Sequence, residues 1–159
     1  MPAARELAMY PKILVPLDGS DTAAQGLQEA IALAQQLKSR LRLLHVVDDY
    51  PLMVEMAPVV NFEALRQSMR QYGQDVLDKA KRMAADQDVE ADTQLCEITH
   101  GRVAELIIEQ TAVLGCSLVV MGTHGRRGLS RTMMGSDAEQ VVRASSVPVL
   151  LVRRPEGIP

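Results

Sequence analysis

The chain has 159 residues, of which 47% are hydrophobic and 23% charged, with a formal net charge of −3. That is the length and balance of one globular domain able to bury most of its apolar surface. Aromatics at 3%, no Trp and a pI near 5.6 argue against base-stacking on single strands and against general attraction to nucleic acid or anionic membrane.

In chain order, Met1 to Tyr10 carries Arg5 and Glu6 and lacks the sustained apolar core of a signal peptide. No apolar run reaches transmembrane length, so the expected location is the cytoplasm. Lys12 to Leu17 reads as the first strand, followed by Asp18-Gly19-Ser20, a turn in which Ser20 is placed to cap a helix. Ala23, Ala24, Leu27, Ala30, Ile31, Ala34 and Leu37 then recur at helical spacing and give that helix one apolar stripe, with Asp21 as first-turn electrostatics. Leu41 to Val47 is a second strand, largely apolar as a centrally buried parallel strand is.

Asp48 to Val60 contains Pro51, Pro58, Met53 and Met56 without a clear period, and reads as a loop that shields a ligand or forms a partner surface. Phe62, Leu65, Met69, Tyr72, Val76, Ala80 and Met83 trace a long helix. Ala91 to Ile98 alternates as a strand, and the His100-Gly101 turn opens a helix over Val103 to Thr111. Ser117 to Met121, Asp137 to Ala144 and Pro148 to Arg153 complete the chain as strand, helix and strand. Cys96 and Cys116 are too few and too far apart for a disulfide framework, and read as reduced, mostly buried thiols without chemistry.

Strict alternation of strands and helices predicts one α/β domain over residues 8–155, with short tails at 1–7 and 156–159. Its sheet is open, five-stranded and parallel, Rossmann-like, with helices on both faces. The most informative stretch is the last βα junction, where Val119-Val120-Met121 meets Gly122-Thr123-His124-Gly125 and, nine residues on, Gly135-Ser136. Glycines there permit positive φ or close approach to a ligand, and a helix start presents unpaired N–H groups to an anion. Between Gly122 and Ser136 lie Arg126, Arg127 and Arg131 and no acidic residue, so phosphate is the expected anion. Ser136-Asp137-Ala138-Glu139 fits a capping box, which explains Ser136 without a ligand. The GxxxxGK[ST] pattern of P-loop NTPases is absent.

Gly122-x2-Gly125-x9-Gly135-Ser136 resembles the G-2x-G-9x-G-[ST] signature of the ATP-binding branch of the universal stress protein family. The resemblance extends to Ile13–Ser20, Leu43–Asp48 and Val147–Arg153, and so covers nearly the whole chain. It implies an adenine nucleotide alpha hydrolase-like fold with strand order 3-2-1-4-5. It also implies an ATP site built from Pro16, Leu17, Asp18, Val46, Met121, Gly122, His124, Gly125, Arg126, Gly135, Ser136 and Asp137. In that site Asp18 holds the ribose or adenine, Val46 contacts the base, and the glycine motif holds the phosphates, with Mg²⁺ carried by the nucleotide. Asp137 departs from the pattern, which has an uncharged residue there. The resemblance further implies a homodimer paired through the terminal strand Val147 to Val152, and a nucleotide-dependent role in a stress response. A slow ATP-hydrolysing or phosphoryl-transfer enzyme and a nucleotide-free interaction protein are the alternatives. No general base, nucleophile–base pair or metal-ligand cluster stands out in the sequence to support a fast catalyst.

Overall fold

The computed structural model describes residues 9–50, 61–124 and 134–154. Strands and helices alternate as β1 (Lys12–Pro16), α1 (Asp21–Leu37), β2 (Arg40–Asp48), α2 (Phe62–Ala85), β3 (Ala91–Ile98), α3 (Val103–Val113), β4 (Leu118–Gly122), α4 (Ser136–Ala144) and β5 (Val149–Val152). The strands form one five-stranded sheet in the order β3-β2-β1-β4-β5, with every neighbouring pair parallel. The order implied by the family resemblance is the order found.

The apolar strands lie in the centre. Ile13, Leu14 and Val15 of β1 and Val119 and Val120 of β4 are wholly buried, which is why these segments show no alternation in sequence. Their side chains supply two cores. Ile13, Val15, Leu43 and Val120 pack with Leu27 and Ile31 of α1 and Leu77 of α2 on one face. Leu14, Leu44, Val119 and Met121 pack with Ala104 and Ile107 of α3 and Val141 of α4 on the other. Each fully buried aliphatic side chain is worth about 1.5–3 kcal/mol, so β1, β2 and β4 together contribute much of the stability.

The edges are more lightly covered. Seven of the eight β3 residues are half-buried and Glu97 is exposed, so the alternation in its sequence does not become alternating burial. Neither face of this edge strand is sealed. Charges help to hold α2 against it: Arg70 Nε lies 2.5 Å from Glu97 Oε1, and Arg66 Nη2 lies 2.8 Å from Asp49 Oδ2 just past β2. The Arg70 hydrogen bond holds the Glu97 carboxyl below the usual carboxylate range.

Gly122 is the last residue of β4 rather than the first of a loop. It does not adopt the positive φ that glycine permits; among the described glycines that conformation belongs to Gly19, Gly101 and Gly115. Its role is close approach. A Cβ there would stand 2.8 Å from Thr22 Cγ2 and 2.9 Å from the Thr22 backbone. A Cβ on Gly26 would in turn meet Gly122 N at 3.3 Å, so the first turns of α1 rest directly on the end of β4. Gly122→Ala is therefore expected to cost about 1–3 kcal/mol and to lower the melting temperature by roughly 3–10 °C. Thermal unfolding followed by circular dichroism checks this, and an unchanged midpoint contradicts the close packing of α1 on β4.

Candidate functional site

β1 and β4 are neighbours in the sheet, yet the helices that follow them pack on opposite faces. The chain leaving β1 turns one way and the chain leaving β4 turns the other. A crevice opens between the two carboxyl ends, the position where open α/β sheets bind ligands.

On the β1 side, Pro16 ends the strand in register with Leu44, and Leu17 continues the pairing by donating its N–H to the Leu44 carbonyl at 2.8 Å. The Leu17 carbonyl accepts a 2.7 Å hydrogen bond from Nδ1 of buried His45 on β2, which fixes the proton on that nitrogen. Asp18 Oδ1 accepts from Ser20 N–H at 2.9 Å, and Ser20 Oγ accepts from Ala23 N–H at 3.1 Å. Ser20 is thus the N-cap of α1, as the sequence predicts, and it also tethers the Asp18 carboxylate at the mouth of the crevice. Gly19 between them has φ +84°, a left-handed conformation that favours glycine. Val46 lies one strand away on β2, its side chain packed against the core beneath α3 and α4, so its backbone is the part at the strand end.

On the β4 side, Met121 is buried and Thr123 organises the junction through its backbone. Thr123 N–H donates to the Val152 carbonyl at 3.0 Å, and the Thr123 carbonyl accepts from Gly135 N–H at 2.8 Å. The second bond carries the start of α4 back to the end of β4. His124 follows, its Nδ1 3.0 Å from Thr123 Oγ1. Gly125, Arg126, Arg127 and Arg131 fall outside the described residues.

Two sequence expectations change here. Gly135, not Ser136, is the N-cap of α4, with φ −63° and ψ 151°, and its carbonyl accepts from Glu139 N–H at 3.0 Å. Ser136 is the first helical residue and is exposed, and its side chain makes no capping bond. The capping-box explanation for Ser136 therefore fails. Second, the N–H groups of Thr123 and Gly135 are committed to the fold and do not face a ligand. At a helix start the first-turn N–H groups, here including those of Ser136 and Ala138, lie beyond the reach of an intrahelical acceptor. Asp137 is exposed in the same turn, where the helix dipole favours a carboxylate. Thr123 is the residue that sequence reasoning missed, because its contribution is made by main-chain atoms.

The remaining candidates stand apart from the crevice. Cys116 is buried and Cys96 half-buried, both free, and burial pushes both thiols up, away from nucleophilic character. Among the described residues no group of three or more His, Cys, Asp or Glu side chains is placed to hold a metal ion. No described helix is long and apolar enough to cross a membrane.

The different roles of the two serines give a direct check. Ser20→Ala is expected to cost about 1 kcal/mol through loss of its cap, whereas Ser136→Ala stays within about 0.5 kcal/mol of the parent. Urea titration of both variants measures this. Equal losses contradict the assignment of Gly135 as the cap.

The Universal stress protein family matches residues 9–153. Universal stress protein MJ0531 of Methanocaldococcus jannaschii is 34% identical over 148 residues, 93% of this chain and 85% of that protein. The solved structure of MJ0577 from the same organism is 28% identical with a TM-score of 0.81, covering 94% of this chain and 99% of that one. The universal stress protein from Archaeoglobus fulgidus, solved in complex with dAMP, shares the fold at a TM-score of 0.62 and 16% identity, covering 92% and 99% of the two chains. With that strand order, that glycine spacing and a match running from before β1 to beyond β5, the chain belongs to the universal stress protein family.

Proposed function

We propose that this chain binds ATP, with Mg²⁺ carried by the nucleotide, in the crevice beyond β1 and β4, and acts as a cytoplasmic, nucleotide-dependent regulator in a stress response. The observation that carries this reading is the Thr123–Gly135 hydrogen bond, which brings the N-terminus of α4 to the end of β4, next to β1 and the turn with Asp18 that follows it. The donor set fits a nucleotide. First-turn N–H groups of α4, the Ser136 hydroxyl, the amide of Gly125 and the His124 imidazole suit phosphates, each charge-assisted bond contributing roughly 1.5–3 kcal/mol. The Asp18 carboxylate suits ribose hydroxyls or the adenine amine, and the Val46 backbone suits a base edge. Arg126, whose part in the site is implied by the family resemblance alone, would supply a positive charge suited to phosphates. Asp137 opposes them, a repulsion that Mg²⁺ bound with the nucleotide would offset. The dAMP complex of the Archaeoglobus fulgidus protein supports an adenine nucleotide as the ligand class.

Calorimetric titration of nucleotide-stripped protein with Mg·ATP tests the proposal. Saturable binding near one per chain is expected, with loss of affinity in Gly125→Val, whose branched side chain enters the motif, and in Asp18→Ala. Wild-type affinity in a folded Gly125→Val variant contradicts this placement of the phosphates.

The same proposal includes a homodimer paired through β5. This strand is one of the two sheet edges, it is short, and Leu150 on it is 37% exposed, which is high for a strand leucine. Light scattering at micromolar concentration is expected to give twice the chain mass, and Leu150→Lys to shift it toward the monomer. A monomeric mass for the parent protein rejects the pairing.

A further inference from the structure

Two aromatic side chains outside the crevice grip the turn that presents Asp18. The hydroxyl of Tyr72, at mid-length of α2, donates to the Asp18 carbonyl at 3.3 Å. Nδ1 of His45 donates to the carbonyl one residue earlier. The two rings meet edge to face, 6.0 Å apart at 67°. Each ring also occupies space that a glycine leaves open. A Cβ on Gly19 would overlap the Tyr72 hydroxyl, at 2.0 Å, and a Cβ on Gly73 would stand 2.4 Å from His45 Cδ2. Gly19 admits the ring from α2, and Gly73 lets α2 pass over the ring from β2. Residues 54 positions apart in sequence are locked together in this way.

We infer that Tyr72, braced by His45, is a positioning residue that sets the Asp18 carboxylate and so makes the site selective for a nucleoside triphosphate over bare polyphosphate. This rests on the nucleotide reading of the site. Restraints on the turn include His45 on the Leu17 carbonyl, Tyr72 on the Asp18 carbonyl, and the Ser20 amide on the Asp18 carboxylate. Gly19, with φ +84°, has little steric resistance of its own to a change of turn conformation. The Tyr72 ring supplies that resistance by filling the volume into which the turn would otherwise relax. Asp18 faces the sugar and base in this reading, while the phosphates are held from α4. A disturbed turn therefore weakens binding of the nucleoside part alone.

The test compares the wild-type chain with Tyr72→Ala, which empties the space beside Gly19, and Tyr72→Phe, which keeps the ring and removes the hydroxyl. Mg·ATP affinity is expected to fall roughly 10-fold in Tyr72→Ala and to return to within about 3-fold of wild type in Tyr72→Phe, the scale of one hydrogen bond. Affinity for Mg·tripolyphosphate is expected to change less than about 2-fold. Without any ligand, the Ser20 amide, held by the Asp18 carboxylate, is expected to exchange hydrogen faster in Tyr72→Ala while the amides of α1 beyond its first turn keep their rates. An equal loss for ATP and tripolyphosphate, or an unchanged Ser20 exchange rate, overturns the positioning role. A wild-type protein that binds no ATP refutes the nucleotide reading instead, and the Ser20 exchange rate still decides whether Tyr72 holds the turn.

Discussion

Parallel pairing of β1 with β4 is the constraint from which the rest of this structure follows. Both strands are apolar and buried, so they occupy the centre of the sheet, and the helices that follow them pack on opposite faces. Neither α1 nor α4 can then cover the gap between the two strand ends. The polar groups there, Asp18 and Ser20 on one side and His124 and the first turn of α4 on the other, are brought together by topology rather than by contacts with one another. A site made this way needs little sequence: a turn after β1, a turn after β4 and a helix start aimed at both.

Main-chain atoms do much of the positioning. Thr123 uses its N–H on β5 and its carbonyl on Gly135, so the end of β4 is joined at once to the sheet edge and to α4. Gly122, one residue earlier, lets α1 lie against the strand end. Two glycines of the motif are therefore explained by the fold before any ligand is considered: one yields space and the other begins a helix. In the proposed site the donors for an anion are those of the next residues, from Ser136 onward, which shifts it into α4 relative to what the glycine spacing alone suggests. A phosphate bound there meets the positive end of the helix dipole and the exposed carboxylate of Asp137 in the same turn.

The sheet was readable from the sequence because buried parallel strands carry apolar runs, unbroken in the centre of β1 and in β4 and interrupted by Arg42 and His45 in the largely apolar β2. The apolar stripe of α1 and its Ser20 cap were equally legible, since both depend on neighbours within a few residues. The strand order was not contained in those patterns; it entered through the family resemblance. Finer features escaped for definable reasons. Ser136 and Gly135 both satisfy the preferences of a helix start, and only the Thr123 bond selects the glycine. The half-burial of β3 depends on how far the helices reach across the sheet, which no period in the strand encodes. Tyr72 sits at an ordinary helix-face position, and its link to Asp18 exists only once α2 has been laid over β2.

The claim that the crevice beyond β1 and β4 is a nucleotide site is tested most directly by mapping amide chemical shifts of the ¹⁵N-labelled protein as Mg·ATP is added. Saturable changes concentrated at Asp18–Thr22, Val46, Met121–His124 and Ser136–Ala138, with the Lys81–Ala91 region at the opposite end of the sheet unmoved, are the predicted result. Changes centred elsewhere, or none at saturating nucleotide, contradict the account.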